Sequence, residues 1–314
     1  MDRLHFTMKI DILIPTYNRA EDLIINLQFL EKEIVTNKIQ DKINVIISDN
    51  CSTDSTRQYI DEFIKTKNNE FSIFYYRNDL NIGLERNVVQ SLKYSNSDYV
   101  IFLGDDDLLA KGYLNFCIDK ITNNELGCII PGLLAVGEGK KNVGSREIHD
   151  DKFLAKGYES IYGFSHFAHQ MSGLLCLRNG LIDDYLKHPG YRNPYLFIYF
   201  IANRLSKYDG VYAPRFQTMV NVTNEKDWSY NDIGLLDDVY KSYYPFIELF
   251  GEKHVAKLLL RFTVIHSYRI DFNKSDIIEL IKKYIILISL KNISGFKFGL
   301  FKIFIKDYIK ILLK

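Results

Sequence analysis

The first part of the chain alternates short apolar runs with stretches in which apolar residues recur at helical spacing. The runs have the length and the β-branched or aromatic content of buried strands, and they cover residues 9–15, 44–48, 71–76 and 99–103. Helices are predicted between them, over residues 21–32, 54–65 and 85–94. Strands that alternate with helices at short intervals predict βαβ units, and therefore an α/β fold of Rossmann-like type with a mostly parallel sheet flanked by helices.

The pattern changes after residue 131. Residues 132–158 are rich in Gly, Lys and Asp, which predicts irregular structure with a loop at 137–141. Further strands are expected at 174–177, 211–213 and 218–222, with helices at 181–187 and 195–206. After Asp232 we expect only helices, at 232–250, 253–268, 276–290 and 296–313. The chain should thus divide into residues 1–131, residues 132–230 and a helical C-terminal extension, 231–314.

Composition narrows the class of protein. Hydrophobic residues make up 47% and charged residues 25%, as in soluble globular proteins. No apolar run reaches the roughly 18 residues of a spanning helix, and residues 1–10 lack the apolar stretch of a secretory signal. The four cysteines form no C-x-x-C pair and are predicted to be reduced thiols. We expect a cytoplasmic protein.

Three consecutive aspartates, Asp105, Asp106 and Asp107, follow the strand at 99–103 and a single glycine, Gly104. They should lie at the carboxyl edge of the sheet, where ligands bind in open α/β folds. Adjacent carboxylates repel one another, and a divalent cation such as Mg²⁺ or Mn²⁺ would relieve that repulsion while leaving positions for phosphate oxygens. Taken alone, the triplet could equally be an acidic turn.

Other strand ends supply neighbours for the triplet, because parallel strands end at the same edge. The motifs are Pro15-Thr16-Tyr17-Asn18-Arg19, Ser48-Asp49 to Asp54, and Asn81-Ile82-Gly83 with Arg86-Asn87. In this order, over about residues 9–121, the set resembles family 2 glycosyltransferases of the GT-A fold. The resemblance implies that residues 1–131 bind a nucleotide-sugar and residues 132–230 face an acceptor.

The resemblance also implies roles for individual residues. Asp49 would read the base, Tyr17 would offer it an aromatic wall, and Asp106 would hold Mn²⁺ or Mg²⁺. Asp107 would assist catalysis from behind the metal ligand, or it would cap a helix. Further nucleotide-sugar contacts would come from Pro15, Thr16, Arg19, Asn81, Gly83, Arg86 and, on the ribose side, Asp105. Gly104 stands where many members carry an acidic residue. A metal site with Asp105 and Asp107 as the pair of ligands therefore remains an alternative.

A general base for the acceptor hydroxyl is harder to place. Many members of the family carry an acidic pair about twenty residues past a glycine like Gly173, where this chain has Asn193-Pro194. Asp184 is our candidate catalytic residue in its place. Other candidates, all without persuasive context, are Asp183, Glu225, Asp227, His166 and His169. Whether the reaction inverts or retains the anomeric configuration stays open.

The C-terminal segment is basic. Residues 251–314 contain 13 Lys or Arg and 5 Asp or Glu, so they carry +8 within a chain whose net charge is +1. Lysines recur every fourth residue at 302, 306, 310 and 314, opposed by Leu300, Phe301, Phe304, Ile305, Tyr308, Ile309, Leu312 and Leu313. Such an amphipathic helix either lies on an anionic membrane or packs its apolar face on the domain. Lysines interleaved with aliphatic residues do not suggest nucleic-acid binding.

The predicted function is metal-dependent transfer of a sugar from a nucleoside diphosphate sugar to a saccharide or lipid-linked saccharide. Family analogy places it in bacterial cell-surface polysaccharide assembly, such as O-antigen or capsule, in the cytoplasm or at the inner face of the membrane. A nucleotidyltransferase is disfavoured, because no glycine-rich phosphate loop follows the first strand. A non-catalytic nucleotide-sugar-binding protein is the third option. The sugar, base, acceptor, linkage and oligomeric state are not predicted.

Overall fold

The structure, a computed structural model, describes residues 8–66, 71–222, 232–266, 278, 281–282, 284–285, 288 and 294–312. Its strands are β1 Ile10–Thr16, β2 Ile43–Asp49, β3 Ser72–Arg77, β4 Tyr99–Phe102, β5 Leu126–Val136, β6 Asn142–Ser145, β7 Lys152–Leu154, β8 Leu175–Leu177 and β9 Asp209–Asn221. Its helices are α1 Ala20–Thr36, α2 Thr56–Thr66, α3 Leu84–Tyr94, α4 Tyr113–Asn123, α5 Tyr158–Phe164, α6 Leu181–Leu186, α7 Leu196–Lys207, α8 Asp232–Tyr243, α9 Ile247–Phe250, α10 Glu252–Ile265 and α11 Ser294–Leu312.

The sheet has the strand order β3-β2-β1-β4-β8-β5-β9-β7, with β6 paired to β5. Strands β1 to β4 are parallel to one another, and β5 is parallel to β9. Because β8 is antiparallel to both β4 and β5, the carboxyl ends of β1–β5 and β9 lie at one edge, which we call the carboxyl edge. The predicted α/β fold with a mostly parallel sheet is confirmed.

The core follows the apolar pattern of the sequence. Ile10, Ile12 and Ile14 of β1 are fully buried against α1, whose Leu23 and Leu27 are also fully buried. Each such side chain contributes about 1.5–3 kcal/mol of transfer free energy relative to an exposed one. This packing fixes the position of each strand along its own axis, and therefore the position of the residues that follow it.

The prediction for residues 132–158 was wrong in part. Strand β5 continues to Val136, and β6 and β7 follow where irregular structure was expected. All residues of β6 are exposed, so its sequence lacks the apolar alternation that marks a half-buried strand. The expected strands 211–213 and 218–222 form the single long strand β9.

The chain divides into two compact units. The first contains the whole sheet and comprises Met1–Gly157, Gln170–Lys187 and Asn203–Lys226; the second comprises Tyr158–His169, His188–Ala202 and Asp227–Lys314. The predicted boundaries at 131 and 230 remain predictions.

In the second unit, the helix expected over 232–250 is interrupted at Tyr244–Phe246, where Pro245 lacks a backbone N–H. Most of the helix expected at 276–290 lies outside the described residues. No helix among the residues described is long and apolar enough to cross a membrane.

Candidate nucleotide-sugar site

The carboxyl edge brings the end of β1 to the triplet of aspartates, whose loop, residues 104–107, we call the aspartate loop. The Thr16 hydroxyl donates a hydrogen bond of 2.8 Å to Asp105 Oδ2. Arg19 Nη1 lies 3.6 Å from Asp106 Oδ2 and 3.3 Å from Asp22 Oδ2. The predicted neighbours Thr16, Arg19, Asp105 and Asp106 are therefore brought together, and the charge of Arg19 offsets part of the negative charge.

Asp105 has a raised pKa, and burial is its largest cause. Burial and the adjacent Asp106 carboxylate raise the pKa of Asp105 to about 7, against the lowering effects of the Thr16 hydrogen bond and the Arg19 charge. Two close carboxylates that one arginine leaves undercompensated match the donor set of Mn²⁺ or Mg²⁺, which binds few protein carboxylates together with substrate oxygens. Among the described residues, no group of three or more Asp, Glu, His or Cys side chains is placed to hold a metal ion. A cation bound by Asp105 and Asp106 would therefore need substrate oxygens as further ligands.

Asp107 has a different environment. Its carboxylate accepts hydrogen bonds from Ser172 Oγ at 2.5 Å and from the Asn221 backbone N–H at 2.9 Å. The Asn26 amide also donates to the backbone oxygens of Gly104 and Asp107, at 2.9 and 2.6 Å. The next helix begins only at Tyr113, so Asp107 caps no helix. These contacts favour a structural role for Asp107, in holding the aspartate loop, over the predicted catalytic role.

Asp49 ends β2 and is completely buried. Its Oδ1 accepts the Ser52 backbone N–H at 2.8 Å, and its Oδ2 accepts the Tyr75 hydroxyl at 2.6 Å. Arg77 Nε lies 3.6 Å from the same Oδ2. Sequence reasoning missed Tyr75 and Arg77. The signal was present in part: Arg77 ends the next parallel strand, and it pairs in register with Asp49.

The loops after β1 and β2 are tied together. Asn18 N–H donates to Ser52 Oγ at 2.9 Å, Thr53 N–H donates to Asn18 Oδ1 at 2.7 Å, and Ala20 N–H donates to Asp54 Oδ2 at 3.2 Å. Tyr17, at the start of this region, is 43% exposed. Pro15 is buried within β1, opposite Ser48. Of these two predicted contacts, only Tyr17 presents an open surface on which a base could stack.

A network of asparagine side chains shapes the loop before α3. The Asn50 amide donates to Asn81 Oδ1 at 2.7 Å, and Asn78 Nδ2 donates to Asn87 Oδ1 at 2.9 Å. Asn81 Oδ1 also accepts the N–H of Gly83, whose φ of +81° favours glycine. Asn81 and Gly83 thus shape this loop. Arg86, one turn further along, is exposed and available to a ligand.

Asp184 does not join this group. It follows β8, which runs antiparallel to β4, so it lies at the edge of the sheet opposite to the aspartate loop. Its carboxylate forms ion pairs with Lys187 at 3.1 Å, with Arg204 at 3.4 Å and with Lys207. Although burial opposes the effect, hydrogen bonds from Lys207 and Lys187 hold the pKa of Asp184 below its usual range. Both position and pairing argue against Asp184 as the catalytic base.

The other candidate bases gain no support. Asp183 is exposed on the same helix as Asp184, and Glu225 and Asp227 lie outside the described residues. His166 and His169 belong to the second unit, where His166 Nδ1 lies 3.2 Å from His266 Nε2 and His169 Nδ1 lies 2.9 Å from the His166 carbonyl oxygen. Asn193, at the position of the family's acidic pair, accepts the Tyr195 N–H at 2.7 Å.

Comparison with known proteins identifies the family. The family model described as glycosyl transferase family 2 matches residues 11–177, more than half of the chain. The chain belongs to glycosyl transferase family 2. That match covers β1 to β8, which include the aspartate loop and Asp49.

Relatives with named activities are similar to part of this chain. An abequosyltransferase of Salmonella typhimurium is 40% identical over 111 residues, which are 34% of this chain and 31% of the relative. A GalNAc(5)-diNAcBac-PP-undecaprenol β-1,3-glucosyltransferase of Campylobacter jejuni is 25% identical over 152 residues, 47% of this chain and 46% of the relative. The matches thus span a third to a half of these relatives.

A solved structure extends the likeness in fold to nearly the whole chain. The crystal structure of Staphylococcus aureus TarS 1–349 in complex with UDP-GlcNAc has a TM-score of 0.67 and 15% sequence identity. The superposition covers 97% of this chain and 90% of that one. At this identity the comparison establishes the GT-A type of fold.

Proposed function

We propose that this family 2 member transfers a sugar from a nucleoside diphosphate sugar to a hydroxyl group of a saccharide or lipid-linked saccharide. The observation that carries the proposal is the placement of Asp49 and the Asp105–Asp106 pair at one edge of one sheet. A buried hydrogen-bond acceptor for a base and a carboxylate pair suited to a cation are the two features that a nucleoside diphosphate needs. The relatives named above, which are transferases of abequose and glucose, support this class of reaction.

Each side chain of the site has a role in the proposal. Asp49 accepts from the base and Tyr17 stacks on it, while Thr16 orients Asp105 on the ribose side. Asp106, with Asp105 as second ligand, would hold Mn²⁺ or Mg²⁺, which when bound stabilises negative charge on the departing diphosphate. Arg19 adds positive charge at the same place, and Arg86 is exposed for a base or phosphate contact. The catalytic base is left unassigned.

We further propose that the reaction belongs to bacterial surface polysaccharide assembly, of the O-antigen or capsule type, at the inner face of the cell membrane. The name of the Campylobacter jejuni relative includes an undecaprenol-linked saccharide, a lipid-linked acceptor. A lipid-linked acceptor confines the reaction to a membrane surface. Acceptor, linkage and donor sugar are to be found by experiment.

A thermal-shift panel tests the donor side of the proposal. The protein is heated with sugars linked to UDP, GDP, CDP and dTDP, with and without Mn²⁺, because a ligand that binds only the folded state raises the apparent stability. We expect one base to stabilise the protein, only with the cation, and we expect Asp49→Asn and Asp106→Asn to abolish the shift. Asp22→Asn, which leaves both residues intact, is the control and should retain it.

Turnover assays separate the alternatives. Slow hydrolysis of the stabilising donor, or transfer to an acceptor, supports a transferase. Pyrophosphate released from a sugar 1-phosphate and a nucleoside triphosphate would instead assign a nucleotidyltransferase. Donor binding with no turnover on a broad panel of acceptors would assign a binding protein.

A further inference from the structure

Contacts with α10 define which side of helix α11 is buried within the second unit. Phe296 and Leu300 are buried and face α10. Between them, Gly299 allows a close approach, since a Cβ at this position would come within 2.2 Å of Leu260 Cδ1. A larger residue at 299 would push the two helices apart. The contact therefore decides which side of α11 remains in water.

The side of α11 that faces away from α10 is apolar. Four large side chains are exposed there, namely Phe298 at 62%, Phe301 at 47%, Ile305 at 37% and Ile309 at 48%. At about 100° per residue they fall within a sector of about 80°. We call these four residues the α11 ridge. Two phenylalanines and two isoleucines grouped on one exposed helix face are unlike the scattered single apolar residues of an ordinary surface.

Lysines border the α11 ridge on both sides. Lys297 lies on one side, and Lys302 and Lys306 on the other, all exposed. Lys302 Nζ lies 4.6 Å from the centre of the Phe298 ring, within the distance of a cation–π contact. Residues 291–314 include six lysines and one acidic residue, Asp307.

This arrangement corrects the sequence interpretation in one respect. The apolar residues expected to form a single face are divided between two. Leu300 packs on α10, whereas Ile305, Ile309 and Phe301 are exposed, and the centre of the Phe301 ring lies 6.4 Å from that of Tyr284. The packing alternative is thus seen at Leu300, and the membrane alternative stays a prediction. Lys314 and the side chain of Lys310 lie outside the described residues.

We propose that the α11 ridge rests in the interface of an anionic lipid bilayer. An apolar strip between rows of lysines matches a membrane surface, where acyl chains receive the ridge and lipid phosphates pair with the ammonium groups. A second copy of the chain is a poorer occupant, because a two-fold contact would bring two basic surfaces together. The same region carries +8 over residues 251–314. The proposal does not depend on the transfer reaction.

Vesicle co-sedimentation of the full chain tests the proposal. Binding to vesicles of phosphatidylglycerol and phosphatidylcholine should exceed binding to pure phosphatidylcholine by about tenfold or more, and should weaken as salt increases. The double variant Phe301→Gln/Ile305→Gln should lower the partition coefficient by about tenfold or more. Lys302→Gln/Lys306→Gln should do the same, because each lysine near an anionic surface contributes about fivefold.

Matched controls keep the test specific. Phe153→Gln removes an exposed phenylalanine from β7, and Lys32→Gln/Lys65→Gln removes two exposed helix lysines. Neither control should change vesicle binding, and donor-induced thermal shifts should be the same in all variants. Equal binding by the ridge variant, or equal binding to neutral vesicles, would overturn the proposal. So would a concentration-dependent dimer that the ridge variant abolishes, with no binding to vesicles.

Discussion

The Tyr75 hydroxyl donates a hydrogen bond of 2.6 Å to Asp49 Oδ2. Burial and the negative charge of Asp49 raise the pKa of Tyr75 well above its ordinary value, so the hydroxyl stays protonated as a donor. With the Ser52 N–H on the other oxygen at 2.8 Å, the carboxylate is held in one orientation. Arg77 Nε, 3.6 Å from Oδ2, adds an ion pair to these two hydrogen bonds.

Replacement of Tyr75 by Phe should weaken donor binding without slowing chemistry. Asp49 Oδ2 would lose the hydrogen bond from Tyr75, which helps to orient the carboxylate, and a hydrogen bond to a charged group contributes about 1.5–3 kcal/mol. We expect the donor Kd and KM to rise by about tenfold or more while kcat is unchanged. Tyr76→Phe is the control, because the Tyr76 ring stacks on Tyr94 at 3.9 Å and its hydroxyl plays no part here. An unchanged donor Kd in a folded Tyr75→Phe protein would refute this role.

Asp106→Asn should abolish cation-dependent activity and leave the fold intact. The substitution removes a ligand and also removes like-charge repulsion with Asp105. We expect turnover to fall by about a hundredfold or more, with a free energy of unfolding equal to or above that of the wild type in urea titrations. Asp22→Asn, which removes the other carboxylate near Arg19, should keep turnover. A large loss of stability in Asp106→Asn would indicate a structural residue instead.

Asp107→Ala should behave in the opposite way. It deprives Ser172 Oγ and the Asn221 N–H of their acceptor, and an unsatisfied buried donor costs about 1–3 kcal/mol. We expect the free energy of unfolding to fall by about that amount. Asp107→Asn keeps an oxygen for Asn221 and should recover part of the loss. If Asp107→Ala keeps its stability but no longer binds donor with Mn²⁺, then Asp107 is a ligand.

Asp184→Asn should lower stability in a pH-dependent manner and spare turnover. Because the pKa of Asp184 is lowered in the folded protein, its ion pairs stabilise the fold above the unfolded-state pKa of about 3.9, and the contribution is lost as pH falls through the folded pKa. Because solvent screens pairs with the exposed Lys187 and Lys207, we expect the variant to be less stable at pH 7 by only about 0.2–1 kcal/mol and the difference to shrink at pH 4 and below. Chemical denaturation at both pH values measures it. Loss of turnover at wild-type stability would restore Asp184 as a catalytic candidate.

The sequence predicted the first half of the fold well for a simple reason. β1, β2 and β4 are buried apolar runs with polar residues directly after them. The residues of each run and its neighbours are therefore enough to predict both the strand and its end. Parallel order then brought Thr16, Asp49 and Asp105 to one edge without further information.

The errors came from information that is not local. Leu175–Leu177 is three apolar residues long, and three apolar residues do not predict the direction of a strand. The antiparallel direction of β8 is what places Asp184 at the opposite edge. One partner of Asp107 is Asn221, separated from it by 114 residues, and no spacing rule links the two. The Tyr75 contact depends on the register of β2 and β3, which hydrophobic pattern alone does not define.

The anchoring of Asp107 has a consequence for the order in which the protein can assemble. Ser172 and Asn221 are 65 and 114 residues distant from Asp107. A nascent chain that has grown only to residue 177, the end of the family match, already holds β1 to β4 and both members of the Asp105–Asp106 pair. It still lacks the backbone N–H of Asn221 that completes the aspartate loop. Contacts of such long separation form slowly, so the proposed binding of donor and cation should arise only after synthesis has passed β9.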